Sequence, residues 1–231
     1  MKVCVYVMTV DSGLAPNPFH GVCTLAVCTP NHARANLKAG DYILGIAGVG
    51  LSRRITSAPG DRKIIYSMQI DEVLTLGEYY ADSRFRSKIP KRKGPAEIQC
   101  GDNFYKTNNG KVEGILMHTQ DTEEHEGTDI EEQDCRGNRV FIGKRFNYFG
   151  SHALEIPIAT NWAKKLIALL SRRSVGITYM YGGSMAKPWT KDEVDELFAF
   201  LDANKPESMP LPVDFKRWIV KEKATSQSSC S

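Results

Sequence analysis

The chain has 231 residues, 25% of them charged and 42% hydrophobic, with a formal net charge of +3. Such a chain buries a core without disulfide or metal staples, and its balance is that of an ordered globular protein. No run approaches the length of a membrane span, and the apolar start "MKVCVYVMTVDS" is too short for a secretory core, so a cytoplasmic protein is expected.

In chain order, "MKVCVYVMTV" and "GVCTLAVC" read as strands, with near-alternating apolar positions rich in Val, Thr and Cys. Between them lies "LAPNPFHG", which is turn chemistry: Pro16 and Pro18 fix φ, and Gly21 takes conformations other residues avoid. A turn with few conformations to lose can hold Phe19 and His20 at the mouth of a site. The competing reading has Phe19 plugging the core and His20 bonding a backbone group. Asn31 caps a short helix ending near Lys38, and Ala39-Gly40-Asp41 turns into the strand "YILGIAG".

"GIAGVGLSRR" carries Gly45, Gly48 and Gly50, but "LSRRITSAPGD" is a poor helix start. A dinucleotide fingerprint is therefore rejected, and Arg53 and Arg54 are read as a basic loop able to serve a nucleotide's phosphates. "KIIYSMQIDEVL" reads as one long strand and "TLGEYYADSRF" as a helix, started by Thr75 with Glu78 three residues on. From Ser87 to Asn109 the signal dissolves into proline, glycine and charge, and "GDNFYKTNNG" reads as turns. "NRVFIGKRFNYFG" returns to strand character. "TNWAKKLIALLSRR" and "TKDEVDELFAFLDANK" are amphipathic helices, the second with a capping box of Thr190 and Glu193. The last residues read as a dispensable tail.

Two charge runs stand out. "SRFRSKIPKRK" holds Arg84, Arg86, Lys88, Lys91, Arg92 and Lys93 with no acid among them, which suits a phosphate track. "DTEEHEGTDIEEQD" packs eight carboxylates between Asp121 and Asp134. A metal reading through His118, Asp121, Glu124 and His125 lacks the spacing of helical zinc sites, and no metal is expected. The six cysteines show no CxxC pair and no repeated spacing, so a reducing compartment is the economical reading. Gly-x-Ser-x-Gly and P-loop motifs are absent from the sequence, and no cofactor is expected.

Strands dominate the first 150 residues and helices the remainder, which points to an α+β fold: a small bent sheet or barrel with helices outside it. The run "LKAGDYILGIAG…DRKIIYSMQIDEVLTLGEYYAD" resembles the central region of PUA-like domains of the EVE, ASCH and YTH group. The wider set "APNPFHG", "GDYILG", "YYADSRF", "GDNFY", "NRVFIGKRFNYFG" and "EIP" resembles the nucleotide-modification-associated domain family, second type, over residues 1 to 205. Residues 206 to 231 then form an extension. The resemblance implies a PUA-like mixed β-barrel associated with modified bases in DNA or nucleotides, in modification or phage-defence systems.

A base needs stacking partners and groups for its polar edge. Phe19, Tyr42 and Tyr105 are the candidate aromatics, Asn17, His20, Asp102 and Asn103 the candidate donors and acceptors, and Arg53 and Arg54 the candidate phosphate ligands. The leading expectation is binding of a nucleobase, nucleotide or nucleic acid, a modified one above all, in an aromatic-lined pocket of the barrel. A rival is an enzyme with His20 as general acid or base and Asp102 beside it; a third is an adaptor with a protein partner in a defence assembly.

Overall fold

The structure is a computed structural model describing residues 1–27, 35–56, 62–91, 94–109, 111–114, 137–171, 177–182 and 189–215. The chain divides into two compact units, each drawn from three stretches. One comprises Met1–Thr9, Ala35–Glu72 and Gly143–Pro210, and the other Val10–Arg34, Val73–Ile142 and Leu211–Ser231.

The first unit is built on a six-stranded sheet. Its path is β10 (Leu154–Glu155), β4 (Lys63–Gln69), β3 (Tyr42–Ala47), β1 (Val3–Met8) and β11 (Ile177–Tyr181), with β9 (Phe146–Tyr148) also on β4. β1 and β3 run parallel, with Val3 opposite Tyr42, and the other pairs are antiparallel. β9 and β10 follow one another along the same edge of β4, placing Tyr148 opposite Tyr66 and Leu154 opposite Ile64. Gly45 is needed where it stands, because a Cβ there would come within 2.4 Å of the Tyr66 ring. Val3, Val5, Leu44, Ile46 and Ile64 pack on α4 (Asn161–Ser171) and α5 (Lys191–Ala203). Trp162, Leu166 and Leu170 of α4, and Val194, Leu197 and Leu201 of α5, recur at the spacing that places them on one helix face. Thr190 and Glu193 form the expected capping box.

The second unit carries the three-stranded sheet β2 (Cys23–Leu25), β8 (Val140–Gly143) and β5 (Glu72–Leu74), in that order, and the hairpin of β6 (Tyr105–Asn108) and β7 (Lys111–Gly114). α2 (Leu76–Ala81) begins at a capping box of Thr75 and Glu78. Asp82 ends it and starts a 3-10 helix, Ser83–Lys88, by accepting from the Arg84 N–H at 2.9 Å. α3 spans Ala96–Gln99. The core here is Leu14, Leu76, Phe85, Phe104, Val140, Ile142 and their neighbours.

Four expectations change. Among the described residues the strands form separate sheets of six, three and two strands and close no barrel, so the PUA-like barrel gives way to a mixed α/β fold. The reason is local: the long run from Lys63 breaks after Gln69, so β4 and β5 join different sheets, and "NRVFIGKRFNYFG" likewise splits into β8 and β9. "VGLSRRI" is a helix, α1 (Val49–Ile55), not a loop; since β4 returns antiparallel to β3, it still forms no dinucleotide-binding βαβ unit. "YKTN", read as turn, is β6. Among the described residues no helix is long and apolar enough to cross a membrane.

Candidate functional site

The turn of "PNPFHG" is closed by Asn17 and Thr24, which exchange both backbone hydrogen bonds at 2.9 Å. His20 and Gly21 reverse the chain with φ of 60° and 78°. A left-handed histidine is uncommon and persists only where its surroundings hold it. Those surroundings are specific. The Asn17 side-chain amide donates to the carbonyls of Gly13 and Cys100. Lys88 Nζ donates to Asn17 Oδ1 at 2.7 Å, to the Asn17 carbonyl at 2.9 Å and to the Val22 carbonyl at 2.8 Å. An ammonium has three N–H donors, and here each has an acceptor on the two limbs of the turn.

Deeper in the same unit, the Asp102 carboxylate accepts from Thr24 Oγ1 at 2.6 Å and from the Tyr79 hydroxyl at 2.7 Å. Asn103 donates through Nδ2 to the carbonyls of Tyr79 and Phe85, and its N–H donates to the Lys88 carbonyl. Its Oδ1 is buried with no hydrogen-bond partner among the described residues. Lys88, Asp102 and Tyr79 are all at most 1% exposed. Burial pushes the Lys88 ammonium down to about 8, against the pull of Asp102. It pushes the Asp102 carboxyl up, opposed by Lys88 and by the hydrogen bonds from Thr24 and Tyr79. The Cys23 thiol is raised to about 12 and the Tyr79 phenol is raised well above its ordinary value, burial leading in both. Cys23 is therefore an inert thiol rather than a nucleophile.

The structure thus brings Asn17, Lys88, Asp102 and Asn103 together. It does not pair His20 with Asp102. His20 is exposed, and its Nε2 lies 2.8 Å from the Glu97 carbonyl. Phe19 is buried against Ala96 and Cys100, and Tyr105 lies against Phe104, so both rings are taken up by packing. Tyr42 packs on Phe198 at 4.4 Å. Arg53 and Arg54 are exposed on α1, where Arg54 donates to the carbonyls of Thr9 and Gly50.

In the basic run, Lys88 is no surface residue at all. Arg84, Arg86 and Lys91 are exposed, Arg84 holding Asp82 through Nε and Nη2 at 2.8 and 2.6 Å. Arg92 and Lys93 lie outside the described residues, as do His118, Asp121, Glu124, His125 and the tail. Sequence reasoning missed Thr24 and Tyr79 as partners of Asp102. A threonine inside the apolar run "VCTLAV", and a lysine followed by Ile-Pro within an otherwise open basic run, were the available signals.

Fold and site define a mixed α/β protein in which an ammonium-anchored turn displays a histidine above buried ionisable groups. The chain belongs to the nucleotide modification associated domain 2 family, whose model matches residues 1–178. No curated protein and no solved structure matches it.

Proposed function

We propose that the chain binds nucleic acid or a nucleotide, with the Asn17–Thr24 turn at the base and the exposed basic residues of the Ser83–Lys91 stretch on the phosphates. The observation that supports this is the double allegiance of Lys88. It belongs to the basic run by sequence and to the turn by hydrogen bonding, so the helix carrying Arg84 and Arg86 is tied to the turn that displays His20. A phosphate track and a polar, backbone-rich turn fixed to one another suit a base flanked by phosphates. Membership in a family named for nucleotide modification supports a modified base as the preferred ligand.

Calorimetry against normal and modified nucleotides and oligonucleotides tests the reading. The double substitution Arg86→Ala, Lys91→Ala weakens oligonucleotide binding across all sequences and flattens its salt slope by up to roughly 0.9 per lost phosphate contact. No binding by the unmodified chain to any ligand of the panel rejects it.

A second reading is favoured by one contact. Because the Glu97 carbonyl can only accept, His20 Nε2 carries the hydrogen and Nδ1 is left as the basic nitrogen, as in a histidine oriented for general-base work. If the bound nucleotide is also turned over, His20→Ala abolishes product while leaving affinity measurable.

A further inference from the structure

Lys88 and Asn17 meet out of reach of water, with 1% and 0% of their surface exposed. Lys88 Nζ lies 2.7 Å from Asn17 Oδ1, and its other two hydrogen bonds go to backbone carbonyls of the turn, Asn17 at 2.9 Å and Val22 at 2.8 Å. The Asn17 carboxamide is held from its other side. Its Nδ2 donates to the carbonyls of Gly13 and Cys100, and its Oδ1 also accepts from the Phe19 N–H at 3.4 Å. A primary amine and a primary amide thus stand in contact in a fixed, dry setting. When such an amine sheds one proton it keeps two N–H groups. With those on the two backbone carbonyls, its lone pair takes the third direction, toward the Asn17 side chain.

We propose that the chain joins Lys88 to Asn17 by an intramolecular isopeptide bond. Nζ attacks Cγ of Asn17, the bond from Cγ to Nδ2 breaks, and the proton shed by Nζ leaves on Nδ2, so the products are one secondary amide and one ammonia. One amide replaces another, and the step consumes no oxidant, reductant or other reactant. Escape of ammonia into solution draws it forward. The Phe19 N–H stands beside Oδ1, the oxygen on which negative charge gathers during the attack. Holding the two groups in contact supplies the proximity that an exchange between amides otherwise lacks.

Burial favours the reactive, neutral amine. The ionisable groups that act on Lys88 are Asp102 and Cys23, and the Tyr79 hydroxyl donates to Asp102. Burial keeps the Cys23 thiol and the Tyr79 phenol uncharged and pushes the Asp102 carboxyl up, which weakens the pull that holds a proton on Lys88. The ammonium described above is the reactant; in the linked chain the same nitrogen is an amide and does not titrate. Linkage makes covalent the tie between the basic run and the turn, and it stands whether or not the chain binds nucleotides.

The full-length protein is weighed by intact-mass spectrometry at isolation and during incubation at pH 7 and at pH 9, then digested with trypsin. The mass falls by one ammonia, about tenfold faster at pH 9, because an amine of pKa about 8 is only roughly one-tenth neutral at pH 7. The digest yields residues 3–34 joined to residues 87–91, since trypsin does not cut after an acylated Lys88. Lys88→Met loses no ammonia and yields no joined peptide. The unsubstituted chain decides the matter even where that variant does not fold. A mass that stays at the full value at both pH values overturns the proposal. So does loss of ammonia without the joined peptide, which would place an imide at another asparagine.

Discussion

The two units bury different things. In the sheet unit the largest cluster is apolar, Trp162, Leu166, Val194 and Leu197 against strand residues, and a buried cation such as Lys63 reaches out to an exposed carboxylate, Glu155, at 3.0 Å. The turn unit instead encloses an ammonium, a carboxyl and a phenol, none with access to water. Burial of apolar surface is enough to hold a fold. Enclosed ionisable groups cost desolvation and stabilise it only through their partners, so their presence marks where shape must be fixed rather than merely held. What they fix is the turn bearing His20.

The largest expected effect breaks this contrast at its centre. Asp102→Ala removes the acceptor of Thr24 and Tyr79 and the charge that favours the Lys88 ammonium, and costs about 3–5 kcal/mol in urea denaturation. Leu197→Ala in the sheet unit falls in a similar range, about 2–5 kcal/mol, by opening a cavity. The two losses differ in what restores them. Asp102→Leu combined with Lys88→Met is expected to lose less than the sum of the two single variants, because each single variant leaves one buried group without the charge opposite it. Losses that simply add would show that the cluster is not electrostatic in origin.

How far such contrasts were legible in the sequence depends on range. α5 was readable because its period and its Thr190–Glu193 capping box are local, and the same holds for Thr75 and Glu78 at α2. β11 was missed: "ITYMY" becomes a strand by pairing with β1, with Tyr6 opposite Ile177, and no neighbour in sequence announces that. Asn17, Lys88 and Asp102 were all visible as polar candidates. Their association was not, because the acceptors of Lys88 lie 71 and 66 residues away, at Asn17 and Val22. A lysine in a basic run reads as solvated unless such partners are known. At Phe19 the competing reading of the turn holds, since the ring is buried with Ala96 and Cys100.

A smaller effect separates the units by pH. Burial holds Lys88 at about 8 against 10.5 for an ordinary lysine. Between those values the unfolded chain keeps a proton that the folded chain has shed, so stability rises with pH. Cys4 in the sheet unit and Cys23 in the turn unit are raised from 9.0 to about 12, so above pH 9 the unfolded chain loses protons first and stability falls. The rise is confined to the window from about pH 8 to 9 and amounts to on the order of 1 kcal/mol. Lys88→Met abolishes the rise and keeps the fall. A fall that begins already at pH 8 in the unsubstituted protein would show that Lys88 is not desolvated as the structure has it.

The smallest effect comes from an ion pair of the sheet unit, and it isolates burial as the variable. Arg145 Nη2 lies 3.0 Å from Asp202 Oδ2, with side chains 63% and 47% exposed. Opposite charges in contact through water gain little, since solvent screens them and ordering two side chains costs entropy. Asp202 also keeps a second donor, Asn147 Nδ2 at 2.8 Å, when the arginine is gone. Arg145→Ala is therefore expected to shift stability by no more than about 0.5 kcal/mol, and less in high salt. Measured beside Asp102→Ala in the same denaturant series, it sets an exposed carboxylate that loses one partner against a buried one that is removed. A loss from Arg145→Ala as large as that from Asp102→Ala would mean that solvent access does not decide which charges matter here, and that the contrast between the two units is one of composition alone.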